Sequence, residues 1–389
     1  MIKAVGRRQL LAGAGAALVL SPLAGCSGGG LVRAGSPKSL VPVRASTDLI
    51  ERITVCTRPF RPTGPRIEAE KLDAKTVIHN YGHGGSGWSL SWGSAEIALE
   101  KARVTGDKDI AVIGCGALGL TTAVAAQRAG FTVTIYTKDV PPKVRSALAS
   151  GVWTPDSRIC YEEHATPELK QAWQRMCRTS HTAYQNLLGL PGDPVEWIDN
   201  YRISDDPPGK PRERAKDNRP EFAEFQEELV PELVPKREQL KPGEHPFGNR
   251  YAGRAPTIMF NISAYSYFLL SQFHETGGKI VIHEFNSPRD LATLPQNTLI
   301  NCTGYAAKEL FGDQSLVPVR GQLARGITQP DVRYGIYYKG VSFVPRRDGQ
   351  VYQVVGGSDY YGFGIETTEP DRAEAEKAVT TIASLFQTA

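Results

Sequence analysis

Apolar and polar positions along this chain follow two periods, and the switches between them mark its elements. The sharpest unit is "DIAVIGCGALGLTTAVAAQRAGFTVTIYTKD" at 109–139. An apolar run from Ile110 to Ile113 enters a glycine turn, a small-residue stretch of helical period follows to Ala129, and Gly130 ends it. A second apolar run spans Thr132 to Tyr136. The pattern predicts strand, helix, strand. Upstream, "ERITVCTRPFRPTGPRIEAEKL" has strand-like ends around a proline-rich turn. "KTVIHNYGHGGSGWSLSWGSAEIALEKARV" predicts a strand, a glycine loop and a helix over Ser89–Arg103.

Past residue 156 the pattern changes. "TPELKQAWQRMCRTSHTAYQNLLGL" (166–190) predicts an amphipathic helix. Residues 204–248 are rich in Pro, Glu, Lys and Arg, which reads as a solvated surface excursion with one helix around "PEFAEFQEEL". "ISAYSYFLLSQFHETGG" (262–278) is a helix closed by glycine, and "KIVIHEF" and "NTLINCTG" (297–304) are strands. "GQLARGI", "YGIYYKGVSFVP" and "QVYQVVGGSDY" read as strands of an antiparallel sheet, and "EPDRAEAEKAVTTIASLFQTA" as a terminal helix. The expected class is α/β with an added antiparallel sheet.

Composition adds little to this picture. A chain of 389 residues, 41% hydrophobic and 22% charged, excludes disorder, collagen and coiled coil. The net charge is +4, and the first 25 residues hold three of those positive charges and no acid. The remaining +1 gives no basic excess for a nucleic-acid partner. The start itself reads as a targeting segment. Paired Arg7 and Arg8 precede a weakly apolar run from Leu10 to Leu20, too short and too rich in Gly and Ala for a membrane span. "LAGC" resembles the bacterial lipoprotein box, with Cys26 lipidated, and the twin arginine resembles a Tat signal. The expectation is an exported, periplasmic or envelope-anchored protein that crosses the membrane folded. Residues 27–47 read as a tether. Of the other cysteines, Cys56, Cys115, Cys160, Cys177 and Cys302, no two form a C-x-x-C pair, so zinc is not expected. Cys115 and Cys302 read as core, and a Cys160–Cys177 disulfide stays open.

Gly114, Gly116 and Gly119 form G-x-G-x-x-G between strand and helix, with Leu118 inside the turn. The first glycine allows the tight turn, the second a close pyrophosphate, the third close packing of helix on sheet. Lys138 and Asp139 end the second strand, and Asp139 lies where an acid can hold ribose hydroxyls. This is a Rossmann-type dinucleotide site, and the motif does not separate FAD from NAD.

A second set of segments does. "PFRPTGPRIEAEKL" followed by "TVIHNYGHGGSGWSLSWGSA" resembles the C-terminal signature of the D-amino-acid oxidase family. "SALASGVWTP" (146–155), "INCTGYAAKEL" (300–310), "PVRGQLARG" (318–326) and "YGIYYKGVSFVPRRDGQVYQVVGG" (334–357) resemble further segments of it. The resemblance implies FAD, a D-amino acid and oxygen as reactants, and a 2-oxo acid, ammonia and hydrogen peroxide as products. It divides the chain into an FAD-binding part (48–155 and 275–325) and a substrate part (156–274 and 326–389). Family members begin with the Rossmann strand, whereas here the family's ending lies at 48–103, ahead of it. That order implies a circular permutation, the old ends joined through "VTGDKD".

By the same resemblance, Arg61 forks onto the substrate carboxylate, while Arg58 and Arg66 are structural. The loop Gly84, Gly85, Ser86, Gly87, Trp88 and Ser89 wraps the flavin ring, its glycines leaving room for ring and substrate, and the Gly85 carbonyl receives the substrate amine. Ser146 and Gly151 flank an apolar strip, Leu148 to Trp153, beside the flavin. Phe285 and Thr303 lie near its adenosine side. Tyr338 matches the active-site wall, and Ser342 stands where the family has a tyrosine assisting the arginine, with Tyr337 or Tyr334 as possible substitutes. His79 and His83, spaced i, i+4 in a glycine loop, present no helix face for a metal. A flavin dehydrogenase or oxidase of another amine with a membrane electron acceptor, and a catalytically silent flavin-binding lipoprotein, are the alternatives in function.

Overall fold

Two sheets carry the fold of the computed structural model, which describes residues 40–208 and 218–387. Arg7, Arg8, Cys26 and most of the tether lie outside the described residues. In chain order the strands are β1 (Ile50–Phe60), β2 (Ala69–Leu72), β3 (Lys75–His79), β4 (Asp109–Ile113), β5 (Thr132–Thr137), β6 (Val195–Ser204) and β7 (Glu238–Leu240). They continue with β8 (Tyr251–Phe260), β9 (Lys279–Ile282), β10 (Thr298–Asn301), β11 (Val317–Gly326), β12 (Tyr334–Tyr338), β13 (Val341–Val344) and β14 (Gln350–Val354).

The first sheet has the order β2-β3-β10-β4-β5-β9. All its pairs are parallel except β2 with β3. Helical crossovers impose this: α1 (Gly87–Val104) links β3 to β4, and α2 (Ala117–Arg128) links β4 to β5. Ile110 to Ile113 of β4 and all of β10 are buried, as both-face-covered strands must be. The crevice outside the carboxyl ends of β4 and β10 is where such a sheet binds ligands. The 109–139 unit thus folds as its pattern predicts.

The second sheet runs β1-β11-β14-β13-β12-β6-β8-β7, antiparallel but for β12 with β6. Its outer face packs the C-terminal helix Arg372–Ala383: Ala378, Val379 and Ile382 meet Tyr338, Val341 and Phe343. Its inner face turns toward the first sheet's loops, with Leu323, Val344, Val351, Ile198 and Met259 packed around Val152. β1 and β11 belong here, not with the nucleotide-binding part where the sequence division places them. Their full-length antiparallel register, from Ile50↔Gly326 to Phe60↔Val317, decides it.

Two long strands have no clear apolar signature. β6 and β8 pair over ten residues and flank the 204–248 stretch that reads as a surface excursion. Pro256 hides β8, yet β7 covers only Ala252, Gly253 and Arg254, so Pro256 sits where no strand needs its missing N–H. The expected "PEFAEFQEEL" helix shrinks to one turn, Gln226–Leu229. The five described cysteines are free and buried, Cys160 and Cys177 included.

α1 is buried along most of its length. On its far side lies α3 (Pro167–Gln185), which opens with Pro167 and a cap from Thr166 to the Leu169 N–H. The close approach of α1 and α3 rests on Gly93, where a Cβ would come within 2.3 Å of Met176 Cα. Gly93→Ala gains about 1 kcal/mol of helix propensity. Overpacking against backbone costs more, about 2–3 kcal/mol. We expect a net loss of stability by urea unfolding; an unchanged or raised midpoint contradicts this packing.

Candidate active site

The glycine turn after β4 is built by close contacts. Gly114 has φ +104 and a Cβ there would lie 2.8 Å from the Cys302 carbonyl oxygen, at the end of β10. A Cβ on Gly119 would lie 2.0 Å from the Gly114 carbonyl oxygen. Only glycine lets loop, helix and neighbouring strand meet. Gly116 is the N-cap of α2 and offers no side-chain cap. Ser146 Oγ accepts from the Ala117 N–H at 2.9 Å, and a Cβ on Gly116 would press on that hydroxyl at 3.1 Å. Leu118 and Gly119 lie buried in the helix's first turn.

The second glycine loop converges on the same serine. Trp88, at the start of α1, donates from Nε1 to the Ser146 carbonyl at 2.9 Å. α1 also lacks a side-chain cap, and Gly87 has open space beside it. Two helix N-termini, each carrying partial positive charge, therefore open around the 146–152 segment. The other glycines act differently from the expectation. The Gly84 N–H bonds the Pro59 carbonyl and the Gly85 N–H bonds that of Ser157, so neither is free to hold a ring. A Cβ on Gly84 would meet the Arg158 carbonyl oxygen at 2.0 Å, and one on Gly85 would meet Ser157 Oγ at 2.5 Å. These two are glycine because protein, not ligand, lies against them. Ser86 Oγ donates to the Ser157 carbonyl, and Ser89 Oγ accepts from the Thr154 N–H. His83 pairs with Ser94 Oγ at 2.8 Å, and burial pushes its pKa down to about 3. His79 is sealed between Asn301, Glu70 and the rings of Tyr81 and Phe311.

At the far ends of the parallel strands, Lys138 pairs with Glu284 on the surface, and the Asp139 carbonyl accepts from Thr137. Phe285 packs edge-on to Tyr136, and Thr303 binds Asn301 through N–H and hydroxyl.

The arginines and tyrosines depart from the sequence expectation. Arg61 falls one residue past the end of β1 and turns to Asp313, Nε to Oδ2 at 3.2 Å, with Nη1 on Thr63 and Gly64. Its charge is committed inside the protein. Arg66 is likewise held, by Glu68, Glu70 and Tyr81. Arg58 has no acidic partner among the described residues. One Nη1 bond to the Arg320 carbonyl at 3.2 Å steadies it. It pairs across β11 with Val319, on the inner sheet face, and its guanidinium lies over Gly321, where a Cβ would sit 2.5–2.7 Å away. The sequence reading takes Arg58 as structural; the two-residue strand period puts it on the inner face and leaves Arg61 beyond the strand.

Ser342 is on that same inner face, opposite Tyr337 on β12 and Gln353 on β14. Tyr338, one residue on, points the other way. It packs against the C-terminal helix and bonds Asp205 and Arg250, so it is not a wall of this site. β13 lies three strands from β1, about 14 Å at the usual strand spacing, and no hydrogen bond joins Ser342 to Arg58.

A buried cation ties the two sheets together at the 146–152 segment. Arg346 is 1% exposed. Nη1 donates to the Ala149 carbonyl at 2.7 Å and Nε to Asp348 Oδ1 at 2.8 Å. Its Cδ backs Gly151, whose φ of +92 and contact with the Phe260 carbonyl require glycine. Asp348 also takes Arg325 and Ser263, and against the upward push of burial the Arg346 charge first, then the Ser263 hydrogen bond and the Arg325 charge, hold its pKa down to about 2.

A family model described as "FAD dependent oxidoreductase" matches residues 109–389. The chain belongs to this family. It is 28% identical over 275 residues to a D-amino-acid oxidase of Rubrobacter xylanophilus, covering 68% of this chain and 73% of that one. It is 25% identical over 290 residues to a D-amino-acid oxidase of Dictyostelium discoideum, covering 72% and 74%. Among solved structures, iminodiacetate oxidase of Chelativorans sp. BNC1 aligns over 71% of this chain and 79% of that one, with a TM-score of 0.49 and 18% identity.

The cofactor of this FAD-dependent oxidoreductase is FAD, and the residues present fit it. The Gly114–Gly119 cradle has no room for side chains, and α2 starts within it with no side chain at its own N-cap, the arrangement that binds a pyrophosphate. The uncapped start of α1 and the open space at Gly87 suit the electron-rich edge of the flavin ring. Bound FAD supplies the two-electron oxidant; the chain's residues position it and the substrate.

The Arg346 clamp gives a test. Asp348→Asn leaves a buried guanidinium without its counter-charge, which costs about 3–5 kcal/mol. We expect that loss in urea unfolding at neutral pH. In the wild type, a depressed carboxylate stabilises the fold above its unfolded pKa of 3.8, and the benefit disappears as pH falls toward 2. The wild-type advantage over Asp348→Asn should therefore close between about pH 4 and 2; a constant difference rules the clamp out.

Proposed function

We propose that this FAD-dependent oxidoreductase oxidises D-amino acids to 2-oxo acids, with ammonia and hydrogen peroxide as the other products. The observation that carries the reading is Arg58: a half-buried guanidinium with no acid partner among the described residues, on the inner sheet face beside the second glycine loop. A planar guanidinium gives a carboxylate two parallel charge-assisted bonds. Pro59, next in sequence, takes the Gly84 N–H, so anchor and loop are fixed to each other. A substrate carboxylate on Arg58 would set the amine toward the Gly85 carbonyl and the α-carbon toward the ring. Most of the rate gain in this scheme is orientation, with no side-chain base required.

The experiment is anaerobic bleaching of the flavin by paired D- and L-amino acids, with peroxide counted per substrate in air. We expect bleaching by D-enantiomers only, with one peroxide per substrate. Bleaching by no D-amino acid defeats the reading, and low peroxide yield points to another electron acceptor. Arg58→Ala should lower kcat/KM by roughly 100-fold or more, from the loss of charged hydrogen bonds. Arg61→Ala should act mainly on stability; the reverse pattern returns the anchor to Arg61.

We also propose that the chain is a circular permutation of its family. The family match starts at Asp109 and leaves 48–104 outside it. The helix Arg372–Ala383 touches the entry to β1, where Arg372 Nη2 donates to the Thr47 carbonyl at 3.2 Å. The α1–β4 link is only Thr105 to Lys108, pinned by Thr298 to Asp107 at 2.6 Å. A chain rearranged to run 109–387, a short Gly/Ser linker, then 40–104 should fold with the same flavin spectrum and a melting temperature within a few degrees. An insoluble or flavin-free product counts against the permutation.

A further inference from the structure

Arg58 is not alone in the site. Arg158 follows the 146–155 segment in a left-handed backbone conformation, φ +52, that non-glycine residues adopt at a cost. The strain is held by neighbours already described: the Arg158 carbonyl lies on Gly84, and Ser157 holds the Gly85 N–H and the Ser86 hydroxyl. The Arg158 side chain is 10% exposed. Its Nε donates to the Asp359 carbonyl, and its nearest acid, the Asp359 carboxylate, is 3.7 Å away and 66% exposed. Both terminal nitrogens lack a hydrogen-bond partner among the described residues. Burial first, and then the Arg58 charge, lower its pKa to about 10, so the two guanidinium groups sense each other.

Two neighbouring guanidinium groups with unused N–H donors, and one solvated acid beside Arg158, leave net positive charge in a half-buried site. A substrate with one carboxylate satisfies the Arg58 fork and leaves Arg158 uncompensated. A second carboxylate compensates both. We propose that Arg158 is a specificity residue that binds the side-chain carboxylate of an acidic D-amino acid, D-aspartate or D-glutamate. This rests on the reading of the chain as a D-amino-acid oxidase.

The holoenzyme is assayed with D-aspartate, D-asparagine, D-glutamate and D-glutamine, wild type against Arg158→Gln. The wild type should prefer each acid over its amide by at least about 10-fold in kcat/KM. In Arg158→Gln that ratio should fall by about 10-fold or more, with Arg158→Lys between the two. Loss on acid and amide alike, or a wild type without acid preference, overturns the proposal. A second arm needs no turnover: succinate and acetate are titrated against the flavin absorbance. Succinate should bind at least about 10-fold tighter than acetate, and Arg158→Gln should remove the difference. If no D-amino acid bleaches the flavin but this difference holds, the oxidase reading fails while the two-arginine site stands. Equal binding of succinate and acetate overturns the site.

Discussion

A cation taken out of water has to be answered within the protein, and Arg346 is that cation here. Its guanidinium sits between the inner face of the eight-stranded sheet and the backbone of 149–151. Asp348 neutralises it while also receiving Arg325 from β11 and Ser263 from the helix after β8. The 346–348 turn, β11 and the helix after β8 are thereby held to one carboxylate, and 149–151 to the guanidinium it neutralises. The segment so fixed is the one to which both helix N-termini attach, through the hydroxyl and the carbonyl of Ser146. The position of the flavin cradle relative to the substrate sheet thus follows from one charge-balance requirement. Such a requirement also forbids half measures: a buried pair with one member removed is worse than no pair at all.

The nucleotide-binding half was legible because its signals are local. Strand, glycine turn, helix and strand lie within 109–139, and each glycine there has a contact that excludes a side chain. The substrate half depends on register across strands far apart in sequence, and there a single position matters. Tyr338 and Tyr337 are neighbours in sequence but lie on opposite faces of a sheet, so matching the wrong one moves a side chain from the site to the outer core. Arg61 and Arg58 exchange roles for a similar reason, since β1 ends at Phe60. Arg158 gives no sequence signal at all. Its role depends on a positive φ and on contact with a loop more than seventy residues earlier. β6 and β8 were hidden because half of each faces the ligand side or solvent, and polar residues there blur the two-residue period.

Membership in the FAD-dependent oxidoreductase family fixes the cofactor and the redox class. The sheet faces then decide which of several arginines is available to a ligand. Without the structure, the family resemblance pointed to Arg61. With it, the acid opposite each arginine is the criterion, and by that measure Arg61, Arg66 and Arg346 are all occupied.

The cysteines carry a further consequence. All five in the described residues are buried, and burial pushes Cys115, Cys160, Cys177 and Cys302 up to about 12. Peroxide attacks thiolate rather than thiol. Under the proposed reaction every turnover in air releases an oxidant inside the protein's own shell. Four thiols that stay protonated and buried offer that oxidant almost nothing to react with, so the packing that closes the core also shields them from the product.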